Sequence, residues 1–422
     1  MKLEAQVQSW RAIEALRSGV PNRDAVHALG SSQPEIEARF RKQLAIVKSG
    51  LQQGIGNVGT IIADDFGAGK SHLLEYLQDI ALDSNFVCSK VVISKETPLY
   101  DMTKLYRAAV ESARVPDRAD VGLTAVVAKI DLNSPQYAQF YQWVNRPDSG
   151  LSAQFAATLF VFQHSSDPEV SDRIIQFWSG NKLYKPELRG WLSKLKEGAT
   201  YKMDKVSTKD LARQRYSFAA RLMGAAGYAG WVMLIDEVEL IARYSLRQRA
   251  KSYAQIARLM GKLEGDKIDG LASVLSITED FQSIRLYDDE EKIPGRLRAG
   301  GSEEELLLAS QAERGMRIIP RDSGDSLHLE EPAEATVRDI YAKVEAIHSE
   351  AYGWDPPEVY QAHHDCRIRQ HIKRWINEWD LRRLYPDYTP DIEVTDLRHD
   401  YSEQPELGQS SEDSPDESDR NL

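Results

Sequence analysis

One segment, residues 59–75, constrains the fold more than any other part of the chain. It begins as an apolar run, breaks at Asp64 into a glycine-containing loop and continues with helical spacing of its apolar residues. We therefore predict a strand, a loop and the start of a helix. The loop ends in Gly69, Lys70 and Ser71, as does the phosphate-loop (Walker A) pattern Gly, four residues, Gly-Lys-Ser/Thr.

Such a loop suits phosphate because glycines let backbone N–H groups turn inward, and the following helix presents its positive N-terminus to the same charge. Lys70 is expected to reach the β- and γ-phosphates of a nucleotide and to assist catalysis, and the Ser71 hydroxyl to ligate Mg²⁺. The residues expected to bind the nucleotide are Phe66, Gly67, Ala68, Gly69, Lys70, Ser71 and His72.

The loop departs from the pattern at its first position, where Asp64 replaces glycine. We expect this change to modify nucleotide binding rather than abolish it, because Gly67 still supplies a flexible position inside the loop. The alternative is a strand-to-helix turn without a ligand, which the strand before it and the amphipathic helix after it disfavour.

A second informative segment, residues 230–240, is an apolar strand that ends in Asp236 and Glu237. P-loop ATPases place such a pair (Walker B) opposite the phosphate loop, since ligands of open parallel sheets lie at the carboxyl ends of the strands. We assign Asp236 to magnesium and Glu237 to activation of the attacking water. A buried strand ending in a solvated acidic turn is the alternative.

Residues 271–278 form a further apolar strand, predicted to lie between the other two. Ser276 or Thr278 at its end can reach the γ-phosphate or its water; Thr278 is preferred, although it can equally cap the next helix.

Several arginines are candidate catalytic groups. Arg314, Arg317 or Arg321 is a candidate arginine finger toward a neighbouring subunit, and Arg367 or Arg369 can reach the γ-phosphate from a lid. The basic amphipathic helix over residues 365–376, together with Lys373, Arg374, Arg382 and Arg383, can instead lie on nucleic-acid phosphates, or be merely a solvated face.

Composition limits the remaining choices. The net charge of −12 is concentrated partly in residues 401–422, so the folded part is only mildly acidic and a nucleic-acid partner is neither excluded nor required. The first residues lack the pattern of a secretion signal, and no apolar run is long enough to span a membrane, so we expect a cytoplasmic protein.

We expect an α/β fold, a P-loop NTPase with a parallel sheet covered by helices on both faces. The predicted parts are an N-terminal helical segment (1–54), the ATPase core (55–114 and 227–330), a large helical insertion (115–226), a C-terminal helical lid (331–394) and a disordered acidic tail (395–422).

Four segments together resemble the ATP-binding proteins of BREX phage-defence systems, the BrxC/BrxD type. They are residues 10–30, the Gly-Ala-Gly-Lys-Ser-His core at 67–72, Leu-Ile-Asp-Glu-Val-Glu at 234–239 and the helix at 368–376. The resemblance implies an AAA+-like ATPase, related in architecture to origin-recognition and STAND ATPases, that works on DNA with other defence proteins. Its motif residues match Gly69, Lys70, Ser71, Asp236 and Glu237 here.

The sequence thus favours a Mg²⁺-dependent ATPase that acts as a DNA-associated motor or switch, with double-stranded DNA and copies of itself as possible partners. A nucleotide-gated scaffold with little hydrolysis is a second hypothesis, motivated by Asp64. A small-molecule kinase is a third, and it is disfavoured because paired acids suit water activation.

Overall fold

The computed structural model describes residues 2–20, 22–54, 56–65, 67–116, 118–319, 327–360 and 367–386. Phe66, Arg321 and the predicted acidic tail therefore lie outside the described residues.

Four parallel strands form the central sheet in the order β1-β4-β3-β2. They are β1 (Val58–Asp64), β2 (Val87–Val92), β3 (Trp231–Asp236) and β4 (Leu271–Thr278). The predicted position of β4, between the strand before the phosphate loop and the strand with the acid pair, is confirmed. On the other side of β1, Leu327 makes an isolated parallel bridge to Ile62.

Sixteen helices surround the sheet in the described ranges. They are α1 (Lys2–Ser18), α2 (Arg23–Leu29), α3 (Pro34–Gln53), α4 (Lys70–Asp83), α5 (Met102–Glu111), α6 (Leu123–Val127), α7 (Pro135–Val144), α8 (Ala153–His164), α9 (Pro168–Trp178), α10 (Lys185–Lys194), α11 (Thr208–Ala225), α12 (Leu246–Leu259), α13 (Tyr287–Gly300), α14 (Glu303–Ile318), α15 (Glu334–Tyr352) and α16 (Ile368–Leu384).

Helices cover both faces of the sheet, so the side chains that alternate along each strand are buried on either side. Val232 and Leu234 of β3 pack into a core with α3 and α4. Met233 and Ile235 point to the opposite face, into a larger core that includes α5, α11 and α12. The helices α6–α11 extend that larger core, and Phe155, Phe177 and Trp178 are buried in it.

A third core joins the two ends of the described chain. Helices α1 and α2 pack against α15 and α16, and we call these four helices the helical unit. Trp375 of α16 packs edge-to-face on Tyr341 of α15, with ring centroids 5.0 Å apart. The expected N-terminal segment is thus divided between two cores, because α3 packs on the sheet instead.

None of the helices in the described part of the chain is both long enough and apolar enough to cross a membrane.

Candidate functional site

The loop between β1 and α4 has the backbone that the glycine pattern predicts. Gly67 and Gly69 have φ angles of +84° and +108°, in the left-handed region that side chains disfavour. Lys70 is the first residue of α4, so the N-terminus of this helix opens directly onto the loop. The exposed N–H groups of a helix start are a ready site for an anion.

The Lys70 side chain folds back over this loop. Its Nζ donates hydrogen bonds to the carbonyl oxygens of Asp64 and Asp65, both at 2.7 Å, and the residue is 8% exposed. Burial lowers the pKa of Lys70, while the nearby carboxylates of Glu239 and Asp64 raise it. The ammonium group is therefore held inside the loop by acceptors that a phosphate can replace.

Both oxygens of the Asp64 carboxylate accept hydrogen bonds from backbone N–H groups. One oxygen accepts from the Asp65 N–H at 2.7 Å and the other from the Leu329 N–H at 2.8 Å. Burial raises the pKa of Asp64, and the Leu329 hydrogen bond and Lys70 oppose that shift. The residue that departs from the glycine pattern thus ties the loop to the segment beyond β1.

The predicted acid pair lies at the carboxyl end of β3. Asp236 is 4% exposed, and its Oδ1 accepts from the Glu237 N–H at 3.0 Å and from the Ser276 hydroxyl. Glu237 adopts a left-handed conformation with φ 58°, which is uncommon outside glycine. Burial raises the pKa of Glu237, and Asp236 raises it further, whereas Arg243 and Arg369 lower it.

A third acid of this turn, Glu239, escaped the sequence reasoning. A short 3₁₀ helix, Val238–Arg243, returns it to the site, where it is 3% exposed. Its Oε2 makes no hydrogen bond within the described structure. Burial raises the pKa of Glu239 to about 7, against the opposing effect of Lys70. The second Glu of Asp-Glu-Val-Glu was the available signal.

The two polar candidates of β4 lie in different places. Ser276 bonds to Asp236, which joins it to the acidic turn. Thr278 is 2% exposed and stands opposite Asp64 in the β1–β4 register. Neither residue lines the cavity described below, but Ser276 is joined to it through Asp236.

A cavity of about 450 Å³ joins these groups. One wall holds residues 67–73 with Asp236, Glu237 and Glu239, and the other holds parts of the helical unit and the link between α2 and α3. His72 connects the walls, since its Nε2–H donates to the Gly30 carbonyl at 2.7 Å, and burial lowers its pKa. The cavity therefore offers a phosphate end beside the loop and an apolar end beside the helices.

Both lid arginines predicted from the sequence approach the site. The Arg367 guanidinium forms an ion pair with Asp65 of the loop, and lies 3.8 Å from Glu331. Arg369 lines the cavity and acts electrostatically on Glu237.

The candidate arginine fingers lie elsewhere. Arg314 and Arg317 are exposed on α14, and Arg314 donates to the Lys262 carbonyl at 3.3 Å. Neither lines the cavity.

Comparison with known families decides the relationship of this chain. The family described as BREX system ATP-binding protein BrxC/D matches residues 6–132 and 203–300, more than half of the sequence. The chain belongs to the BrxC/D family. The resemblance carried by the motifs is thereby confirmed, and the matched ranges contain the glycine loop and the acidic turn. No curated protein shows a significant match to this BrxC/D chain.

Proposed function

We propose that this BrxC/D family protein binds ATP with Mg²⁺ and hydrolyses it, acting as a DNA-associated motor or switch in bacterial anti-phage defence. One observation carries the proposal: the glycine loop with Lys70 and the acidic turn with Asp236 and Glu237 line one cavity at the carboxyl edge of one parallel sheet. The strand order, with β4 between β1 and β3, supports an AAA+-like P-loop core with the helical unit as its lid.

Phosphate binding falls to the loop. Its N–H groups and the start of α4 hold the phosphate oxygens, and Lys70 exchanges its two carbonyl partners for β- and γ-phosphate oxygens. Loss of those carbonyl bonds is offset by stronger charge-assisted bonds to phosphate.

The residues present fit a magnesium ion. Ser71 offers a hydroxyl and Asp236 a carboxylate to the same cavity. Such a sparse donor set suits Mg²⁺, which keeps several waters and substrate oxygens as ligands. When bound, the ion neutralises phosphate charge. Ser276 orients the Asp236 carboxylate through its hydroxyl.

Hydrolysis needs a group that orients and deprotonates water. Glu237 has that role here, because its carboxylate lies beside Asp236 on the cavity wall and burial raises its pKa toward the working range of a base. Arg367 and Arg369 stabilise charge on the γ-phosphate from the lid, with Arg367 leaving Asp65 to do so.

Phosphate release from ATP by the purified chain, with and without double-stranded DNA, tests this function. We expect Mg²⁺-dependent turnover that duplex increases. Lys70→Ala removes phosphate contacts, and Glu237→Gln lowers kcat by about 10² to 10⁴ while ATP still binds. The control Glu264→Gln changes an exposed carboxylate that does not line the cavity, and it keeps full turnover.

Other outcomes contradict the proposal in distinct ways. ATP binding without phosphate release, alone or with DNA, indicates the nucleotide-gated scaffold. The observation that motivated a scaffold is Asp64, and its carboxylate accepts hydrogen bonds from the Asp65 and Leu329 N–H groups. Transfer of phosphate to a metabolite instead of water indicates a kinase.

The output of the ATP cycle is a movement of the helical unit against the sheet, relayed to DNA and to other defence proteins in the cytoplasm. Self-association is part of the proposal because Arg314 and Arg317 are exposed on α14. Sedimentation that shows only monomer with ATP and DNA contradicts that part alone.

A further inference from the structure

A basic segment stands out in this acidic protein. Residues 182–205 contain seven Lys or Arg and only three Asp or Glu, whereas the chain as a whole carries a net charge of −12. The segment comprises α10 and the loops on either side of it. We call its basic residues the basic face: Lys182, Lys185, Arg189, Lys194, Lys196, Lys202 and Lys205.

The basic face is open to solvent. Six of its seven residues are exposed, the half-buried Lys185 being the exception. None of the seven forms an ion pair with any described residue. Of the three acids of the segment, Glu187 pairs with Arg173, whereas Glu197 and Asp204 form no ion pair with any described residue. Seven basic groups against three acids leave the segment with a net positive charge.

Internal contacts hold the parts of this face together. The Lys185 ammonium donates to the carbonyl oxygens of Met203 and Asp204, at 3.2 and 3.1 Å. Met203 is buried, so the exposed Lys202 and Lys205 are fixed beside the start of α10.

Arg189 follows Lys185 by four residues and therefore lies on the same side of α10, one helical turn further along, whereas Lys194 follows by nine residues and lies on the opposite side. Lys185, Arg189, Lys202 and Lys205 thus gather charge near the start of α10, over a length comparable with a few phosphate spacings of a duplex.

Helix stability does not explain this arrangement. Basic groups near a helix N-terminus oppose the helix dipole, yet Lys182, Lys185 and Lys202 gather at that end of α10. Repulsion among unpaired charges adds a further cost. A polyanionic partner removes both costs.

The helix that the sequence offered for nucleic acid is less available. On α16, Arg382 pairs with Glu378 at 2.5 Å and Arg383 lies 3.7 Å from Asp380. Those arginines are engaged within the helical unit. The basic face lies outside the family match, except for Lys205, and none of its residues lines the cavity.

We propose that the basic face holds the phosphate backbone of double-stranded DNA. This inference rests on the proposed function and names the surface through which DNA acts. Six of the seven residues are lysines, which contact phosphate as point charges and lack the bidentate geometry of arginine that reads bases. Tyr184 is the exposed aromatic of the segment, and single-strand binders use several such rings as stacking platforms.

Fluorescence anisotropy with a mixed-sequence duplex of about 30 base pairs, titrated between about 50 and 200 mM salt, tests the proposal. The test variant Arg189→Ala/Lys202→Ala/Lys205→Ala removes three exposed charges of the face. The matched control Lys292→Ala/Arg298→Ala/Arg338→Ala removes three exposed charges that pair with Asp288, Glu313 and Glu334. Both variants change the net charge equally. ATP binding is measured on each protein.

We expect the test variant to bind duplex at least about tenfold more weakly, with the slope of log K against log salt reduced by about 2 to 3. The control keeps the affinity and slope of the unmodified chain, and both variants bind ATP normally. Equal duplex binding by the test variant and the unmodified chain overturns the inference and leaves the proposed ATPase intact. Tighter binding of polyglutamate than of duplex overturns it in favour of an acidic protein partner. If the unmodified chain does not bind ATP, the proposed function fails instead.

Discussion

Single residues of the acidic turn divide the work of the site by their surroundings. The Asp236 carboxylate accepts two hydrogen bonds, and Glu237 faces the cavity in a strained conformation. Glu239 is buried, and its Oε2 has no hydrogen-bond partner in the described structure. Burial of an unpartnered carboxyl disfavours its ionised form. Glu239 is therefore the acid of the turn whose charge costs most in the folded state.

Replacing Glu239 with Gln is expected to raise the free energy of unfolding at pH 8 by roughly 2 to 3 kcal/mol, and to change it little at pH 5. The pKa of Glu239 is raised to about 7, so between the unfolded value near 4.5 and about 7 the folded chain keeps a proton that the unfolded chain has lost. Stability falls as pH rises through that window, and the full penalty remains above it. Urea unfolding without nucleotide measures the difference.

Glu264→Gln, at an exposed position, is the control for that measurement. An equal effect of Glu239→Gln at both pH values contradicts the assignment, since an uncharged contribution does not depend on pH.

The site could be predicted from sequence only where local pattern determines position. Lys70 and Asp236 follow from a loop and a strand end, because parallel strands bring their carboxyl ends to one edge. The position of Glu239 could not be predicted, because the direction of its side chain depends on whether the chain after Asp236 stays extended or turns into a 3₁₀ helix. Asp64 was recognised as a departure, but its bond to Leu329 depends on a segment distant in sequence.

At the scale of elements, the strand order followed from the motifs, but helix partners did not. An apolar helix face predicts that this face is buried, but it does not show which other element packs against it. Helices α12 and α14 show how a close contact is encoded: a Cβ on Gly315 of α14 would collide with the backbone of Tyr253 in α12. The two helices approach this closely only because position 315 has no side chain.

Gly315→Ala is expected to lower the free energy of unfolding by about 1 to 3 kcal/mol, because the added methyl group forces α14 away from α12. Gly295→Ala is the matched control within α13, where an added Cβ meets no atom within 4 Å. That change is expected to be neutral or to stabilise by about 0.5 to 1 kcal/mol through helix propensity. Urea denaturation of both variants measures the contrast, and destabilisation of equal size would show that backbone contact is not the cause.

For the whole molecule, the helical unit joins the two ends of the described chain and forms one wall of the cavity. Its central polar tie is Asp380, which accepts from Arg17 of α1 at 2.6 Å and from His348 of α15 at 3.2 Å. Burial alone raises the pKa of Asp380, but the bond from His348 and the charge of Arg17 outweigh it, so the pKa is lowered. The carboxylate thus joins three helices of the helical unit, α1, α15 and α16.

Asp380→Ala is therefore expected to weaken ATP binding although Asp380 does not line the cavity. Removing the carboxylate leaves Arg17 and His348 without their shared partner, at a cost of about 2 kcal/mol or more, and lets α1 and α16 separate. Calorimetric titration with ATP should show a higher Kd, and hydrogen exchange should show faster exchange in α1, α15 and α16 together.

Glu378→Ala is the comparison, because among the described residues the ion pair of Glu378 is with Arg382, one turn further along α16. It removes a carboxylate from the same helix without untying α1 from α16, so ATP affinity should stay near that of the unmodified chain. One outcome is that Asp380→Ala loosens the helical unit but leaves ATP affinity unchanged. In that case the helical unit contributes no binding energy for ATP, and ATP is coupled to its movement through Arg367 and the loop alone. If ATP affinity and protection from hydrogen exchange decrease together, the packing of the helical unit couples nucleotide binding to the two ends of the described chain.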